Sequence, residues 1–370
     1  MKRKTDFFVN LLCIVVCVAL VATTAFTADF FSTVILGVGR NIKILQDELN
    51  GGNISVNSSG ITQNKENGFS PLGFGGGGYK SENITDTPSD IQALMKSYES
   101  LYEGFEKTGD INEQKMGATS KTQVYSFVKI DNKAEVDIDI NALIDTKPTY
   151  NEITKEKPYI LVYHTHTTEG YEILDKGWYS NSYNSRTEDS SRNMVRVGEE
   201  LVKQLEKAGF NVIHDKNVYD RSYTGAYSRS LESVKKYLQE NPSIMITLDV
   251  HRDAIHYSDG TKCKPTAEIN GKKAAQVMII TGCEGGGVEE FPRWYENLAF
   301  SVNLQNTVEE SYNGLMRPIF FCNRKYNMNV TPCSVLLEFG TDANTLEEAV
   351  YSASLIGESL GKMLNKELGE

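Results

Sequence analysis

Three short stretches of this chain carry side chains that could share one reaction. The first, "YHTHTTEGY" at 163–171, places His164, His166 and Glu169 directly after the apolar run "PYILV". The second, "SIMITLDVHRD", ends in His251, Arg252 and Asp253, and the third, "CSVLLEFG", carries Glu338. The whole chain has only five histidines, and three of them fall in the first two stretches. Two imidazoles and one carboxylate around an open position make a catalytic zinc set. A further carboxylate beside it can act as general base on a water.

Spacing sorts the roles. His166 and Glu169 are three residues apart, so a single tight turn can aim both at one point. On an extended strand end His164 lies beside His166 and further from Glu169. The expected zinc ligands are therefore His166, Glu169 and His251, with Glu338 activating the water. His164 is expected behind them, orienting a ligand or binding the oxyanion. Asp189, just ahead of a helix starting near Asn193, is the rival for the carboxylate ligand. Each residue also has a plainer reading: a strand-end His capping carbonyls, Glu338 as a helix N-terminal charge, Glu169 as a solvated loop residue. It is their coincidence at three strand ends that favours a metal site. His214 in "VIHD" and His256 in "AIHY" sit in no such constellation and read as structural histidines.

Strands and helices must bring these stretches together. From 157 onward, apolar strands ("PYILVYH", "FNVIHD", "SIMITLDVH", "AAQVMIITG", "CSVLLEFG") alternate with amphipathic helices. The helices are "NMVRVGEELVKQLEKAGF", ended by Gly209, "AYSRSLESVKKYLQENP", stopped by Pro242, "RWYENLAFSVNLQNTVEESY" and the closing "TLEEAVYSASLIGESLGKMLNKEL". This order predicts an α/β three-layer sandwich with a mostly parallel central sheet. Ligands in such sheets bind at the carboxyl ends of strands, where all three stretches would lie.

The remainder of the chain reads as a mounting. Residues 7–28 carry no charge and are long enough to cross a bilayer as a helix. Lys2, Arg3 and Lys4 would keep the amino terminus cytoplasmic and place the rest outside. A cleaved signal peptide is the competing reading, but the run is long for one and Phe26 spoils the small-residue cleavage site. We expect an anchor over 1–30, then a juxtamembrane helix and a Gly/Ser/Asn-rich linker over 31–89. "GFGGGGY" within that linker lacks the following Lys-Ser/Thr of a phosphate loop. Residues 90–155 read as a small accessory region, with a helix "DIQALMKSYESLYEGFEK" capped by Asp90 and strands in "TQVYSFVKI" and "AEVDIDI". The catalytic domain is expected over 156–370.

Composition narrows the class. Of 370 residues, 40% are hydrophobic and 24% charged, ordinary for a globular protein. The net charge of −11 and a pI near 5.2 argue against a nucleic-acid partner. Cys13 and Cys17 fall in the apolar run, and Cys263, Cys283, Cys322 and Cys333 lie downstream. None shows CxxC spacing, so a cysteine zinc site is not expected, although four cysteines in an exported domain could form two disulfides.

Taken in order, "YHTHTTEGY", "NMVRVGEELVKQLEKAGFNVIHD", "YSRS", "LDVHRDA" and "LLEFGTDANTLEEA" resemble the stage II sporulation protein P family over roughly 158–365. The resemblance implies a membrane-anchored cell-wall hydrolase, similar to zinc N-acetylmuramoyl-L-alanine amidases, whose last strand ends in a pattern like Glu338, Gly340 and Asn344. "HTTE" and "DVH" also resemble zinc carboxypeptidases. The implied work is peptidoglycan removal during engulfment: stem peptides cut from muramic acid, with endopeptidase cleavage of cross-links as a second implied activity. The implied cofactor is Zn2+, and the implied partners are stage II sporulation proteins D and M. In the amidases the metal carboxylate lies at the start of the first helix, where this chain has Glu188 and Asp189, so the third ligand stays open between these and Glu169. Stem peptides carry carboxylates, and Arg229 in "YSRS" and Arg252 are the candidates to bind them. A zinc peptidase confined to stem peptides and a non-enzymatic wall-binding scaffold are the competing functions.

Overall fold

The computed structural model describes residues 87–370, apart from 135, 149, 151 and 152. The expected anchor, the juxtamembrane helix and nearly all of the linker lie outside the described residues. Among the described residues no helix is long and apolar enough to cross a membrane.

The elements run α1 (Ser89–Glu103), β1 (Gly109–Gln114), β2 (Gln123–Tyr125), β3 (Val128–Asn132), α2 (Ile140–Asp145), β4 (Pro158–Tyr163), β5 (Trp178–Tyr179), α3 (Met194–Lys207) and β6 (Asn211–His214). They continue with α4 (Ala226–Glu240), β7 (Ile246–Asp253), β8 (Lys262–Ile269), β9 (Lys272–Ala275), β10 (Val277–Gly282), α5 (Trp294–Ser311), β11 (Ile319–Cys322), β12 (Cys333–Thr341) and α6 (Leu346–Leu368). An eight-stranded sheet has the order β2-β3-β11-β10-β12-β7-β4-β6, and a four-stranded sheet the order β5-β1-β8-β9.

The large sheet is mixed, which corrects the expectation of a mostly parallel one. β12, β7, β4 and β6 run parallel to one another, and so do β3, β11 and β10, but β10 and β12 meet antiparallel. Two blocks of opposite direction are thus joined in the middle of the sheet. The carboxyl ends of β4, β7 and β12 still share one edge, because all three belong to one block. The region 90–155 is not a separate module either: β3 pairs with β11 in the large sheet and β1 with β8 in the small one. Two local expectations also change. Among its described residues "AEVDIDI" forms no strand, and "AAQVMIITG" is divided between β9 and β10 at Gln276, whose side chain holds Met116 and Gly314.

The strands form where short apolar runs can be covered on both faces. Ile160 and Val162 of β4 face the core shared with α3, α5 and α6, while Leu161 and Tyr163 face Val234 of α4. Burying each such side chain stabilises the fold by roughly 1.5–3 kcal/mol relative to exposure. The starts of α3 and α6 are capped by side chains. Asn193 accepts from the Val195 N–H, and Thr345 and Glu348 form a reciprocal capping box. Asp90, expected as a cap, lies instead inside the first turn of α1 and binds Arg196.

One close approach fixes α3 against the sheet. A Cβ on Gly198 would lie 2.6 Å from His164 Cε1 and 2.7 Å from His214 Nε2. Alanine ordinarily favours a helix over glycine by about 1 kcal/mol. Here we expect Gly198→Ala to destabilise by about 1–3 kcal/mol through overpacking. Thermal unfolding of the variant checks this, and an unchanged midpoint would mean that α3 moves away without cost.

Candidate active site

β4 stops at Tyr163, and the chain turns at once. Thr165 donates its N–H and hydroxyl to Asp249 of β7 at 2.8 and 2.7 Å, and the Glu169 N–H donates to the His166 carbonyl at 3.0 Å. That last bond is the tight turn expected from the spacing, and it puts His166 and Glu169 on one side. On β7, residues two apart share a face, so His251 stands over Asp249. On β12, Glu338 lies directly opposite His251 in the parallel register. Beyond Glu338 the register shifts before Thr341. Gly340 sits there at φ +67°, and a Cβ would collide with Asn344 and Ala275. Asn344 accepts the Thr341 N–H, so Gly340 and Asn344 shape the bend that follows Glu338.

The structure thus brings together His166, Glu169, His251 and Glu338, all buried. His166 and His251 have ring centroids 5.2 Å apart, and His251 Nδ1 lies 3.6 Å from Glu169 Oε2. Burial works against the Glu169 charge, but the hydrogen bond and charge of His251, with Arg252 and His166, hold its carboxyl down at about 2. Burial likewise opposes charge on His251, yet Asp249 and Glu169 outweigh it and raise the imidazole well above its ordinary value. Burial, then the His251 charge, lowers His166. Glu338 is pushed up to about 8, first by burial and then by Asp253, against the pull of His251 and Arg317.

Among the described residues no group of three or more His, Cys, Asp or Glu side chains is spaced so that it could hold a metal ion as it stands. The donor chemistry nonetheless fits a zinc ion. His166 Nδ1, His251 Nε2 and Glu338 Oε2 are buried without a hydrogen-bond partner, an expensive state for polar atoms. His251 Nε2 does lie 2.9 Å from Asp249 Oδ1, but that contact has the distance of an ion pair without the alignment of a hydrogen bond.

Other expected residues are placed elsewhere. His164 is fully buried, with Nδ1 3.1 Å from the Val250 carbonyl and Nε2 2.8 Å from His214 Nε2. Burial lowers His164 to about 4 and His214 to about 2. His164 therefore braces β7 from behind and does not face a substrate, which corrects its assignment to the oxyanion. Glu188 is exposed and paired with Arg221, and Asp189 is bound to Ser191 and Arg192, so neither joins the cluster. Arg229 donates to the carbonyls of Tyr219, Ser222 and Thr224, bracing the loop that carries Tyr223. Arg252 is buried and donates to the Gly170 and Asp253 carbonyls. Both arginines are spent on backbone, not free for a ligand.

Several neighbours went unread in the sequence. The Tyr223 ring lies flat on His166, 4.5 Å away at 3°. Tyr227 meets His166 edge-on at 5.5 Å and stacks with Tyr326 at 5.2 Å. Asp220 accepts from Thr168 and Arg186 and lies 4.0 Å from His166 Nδ1. Arg186 also donates to Glu169 at 3.1 Å. The aromatic-rich "DRSYTGAYSRS" was the available signal.

Fold and site together define an α/β protein with a mixed sheet and a buried histidine–carboxylate cluster at the carboxyl edge of three parallel strands. The chain belongs to the stage II sporulation protein P family, whose model matches residues 79–361. It is 29% identical over 224 residues to the stage II sporulation protein P of Bacillus subtilis, a match covering 57% of this chain and 52% of that protein. The match thus spans about half the length of that curated relative. Three solved amidase structures align loosely with part of the chain. One N-acetylmuramoyl-L-alanine amidase is from Nostoc punctiforme (11% identity, TM-score 0.32, 57% of this chain and 98% of that one). An amidase from Clostridioides difficile, in complex with a lipoprotein, aligns at 14% identity and TM-score 0.36, over 56% and 99%. The catalytic domain of an amidase from Bacillus (Paenibacillus) polymyxa aligns at 13% and 0.33, over 57% and 98%. Likenesses this loose say nothing of individual residues.

Proposed function

We propose that this chain is a peptidoglycan hydrolase of sporulation, a zinc-dependent N-acetylmuramoyl-L-alanine amidase that also cleaves cross-links as an endopeptidase. It would be held in the cell membrane by the apolar run at 7–28, with its catalytic domain outside the cytoplasm, and would work with stage II sporulation proteins D and M. The single observation that carries the hydrolase reading is the meeting of His166, Glu169, His251 and Glu338 at one sheet edge, with buried donor atoms lacking partners. The anchor, the endopeptidase activity and the two protein partners rest on the sequence alone.

In this reading His166, Glu169 and His251 would hold the ion. Bound there, zinc supplies polarisation of an amide carbonyl and a lowered pKa for a water. The chain's residues do the rest. Glu338 offers Oε2, which has no protein partner, to the proton of the attacking water. It then passes that proton to the leaving L-alanine nitrogen. Asp249 and Thr165 fix the strand ends on which His166 and His251 ride. Tyr223 and Tyr227 wall the cluster and limit water around it.

Digestion of purified peptidoglycan by the full chain tests the reading. We expect whole stem peptides with free amino-terminal L-alanine, and their release should stop when a chelator strips the metal. Products cut only within stems would replace the amidase by a peptidase. Undiminished release after verified zinc removal would sink the metal mechanism.

A further inference from the structure

We propose that Arg186 recognises a carboxylate of the substrate's stem peptide close to the scissile amide, with Tyr223 as the surface along which that group approaches. This rests on the hydrolase reading above and assigns its anionic subsite.

The other arginines near the cluster are occupied: Arg252 and Arg317 are buried, and Arg229, although exposed, is held by backbone. Arg252 and Arg229 serve backbone carbonyls, and Arg317 is bound to Asp253 at 3.0 Å. Arg186 differs. Its side chain is 37% exposed, yet its inner end reaches the cluster. Nη1 donates to Asp220 at 3.0 Å and Thr168 Oγ1 at 3.3 Å, and Nη2 donates to Glu169 at 3.1 Å. Guanidinium has five N–H donors. Nε and a second Nη2 hydrogen remain without a partner among the described residues. Two donors are what a carboxylate needs for a paired bond.

The group is also held ready. Asp220 and Glu169 fix the fork from behind, so less freedom is lost when a ligand binds in front. Glu169 is shared with His251 and with the Arg252 N–H, so it does not absorb the whole guanidinium charge. The guanidinium lies 5.6 Å from the Tyr223 ring centre, and that ring, 66% exposed, lies flat on His166. Cation, ring and imidazole therefore form a continuous path from solvent to the cluster. An anionic group at the outer end of this path places the adjoining amide next to His166.

Two muramyl peptides separate recognition from mere support of Glu169: one with a free carboxylate on the residue after L-alanine, one with the carboxamide there. For Arg186→Gln in the full chain we expect KM for the acid to rise about tenfold to a hundredfold, with little change for the amide. Arg186→Lys keeps a charge but not the fork, and should fall between. It is read in the same way if the glutamine variant does not fold. Equal losses on both substrates would make Arg186 only a brace for Glu169 and overturn the proposal. Calorimetric binding of the free stem peptide gives an answer independent of turnover. If the unaltered chain cleaves neither substrate, the hydrolase reading falls, while weaker peptide binding by the variant still supports the arginine and equal binding overturns it.

Discussion

Under the proposed zinc mechanism, Glu338→Gln should bind zinc as the unaltered chain does and lose turnover by ~10²–10⁴-fold, the usual worth of a general base. The amide has nearly the volume of the carboxyl, so packing beside His251 and Met278 on the neighbouring strands is retained. The variant should therefore fold about as well as the unaltered chain. Its amide cannot accept a proton. Metal content and single-turnover rate on muramyl peptides are the measurements. A near-normal rate with full metal would leave Glu338 a structural residue and send the search for the base elsewhere.

The second large effect separates two histidines that differ by two positions. If the proposed ligands hold zinc, His166→Ala should fail to retain it, because a site with three protein ligands cannot spare an imidazole. His164→Ala should stay loaded when folded but unfold more easily. It removes a wholly buried ring and leaves the Val250 carbonyl and His214 without their partner, a loss of about 1–3 kcal/mol before any cavity is counted. Elemental analysis and thermal unfolding on both variants decide it. A metal-free His164→Ala that remains folded, beside a loaded His166→Ala, would reverse the assignment.

The strands that carry this site could be read directly, because "PYILVY", "ITLDV" and "CSVLLE" are short apolar runs that each end in polar residues. The turn joining His166 to Glu169 followed from a three-residue spacing. Strand direction did not follow, since the register of β10 against β12 is set by partners far away in sequence and not by local pattern. The small strands β1 and β8 were missed for the same reason: "DINEQ" and "KCKPTAEI" have little alternation and take their shape from each other. His164 misled because an apolar strand followed by a histidine says nothing about which face the ring takes. Arg186 and Asp220 lie in loops 17 and 51 positions from Glu169, where only the fold makes them neighbours.

β12 lies between β7 and β10, in the interior of the sheet, yet among the described residues it follows every other strand in chain order. Until it arrives, the two blocks of opposite direction have nothing to join them, and β7 and β10 each present an open edge. The contacts that finish the sheet therefore bridge distant parts of the chain, which makes their closure slow relative to local helix formation. Glu338 travels on that same strand. A chain interrupted anywhere before it therefore lacks the proposed base and the sheet's central seam together.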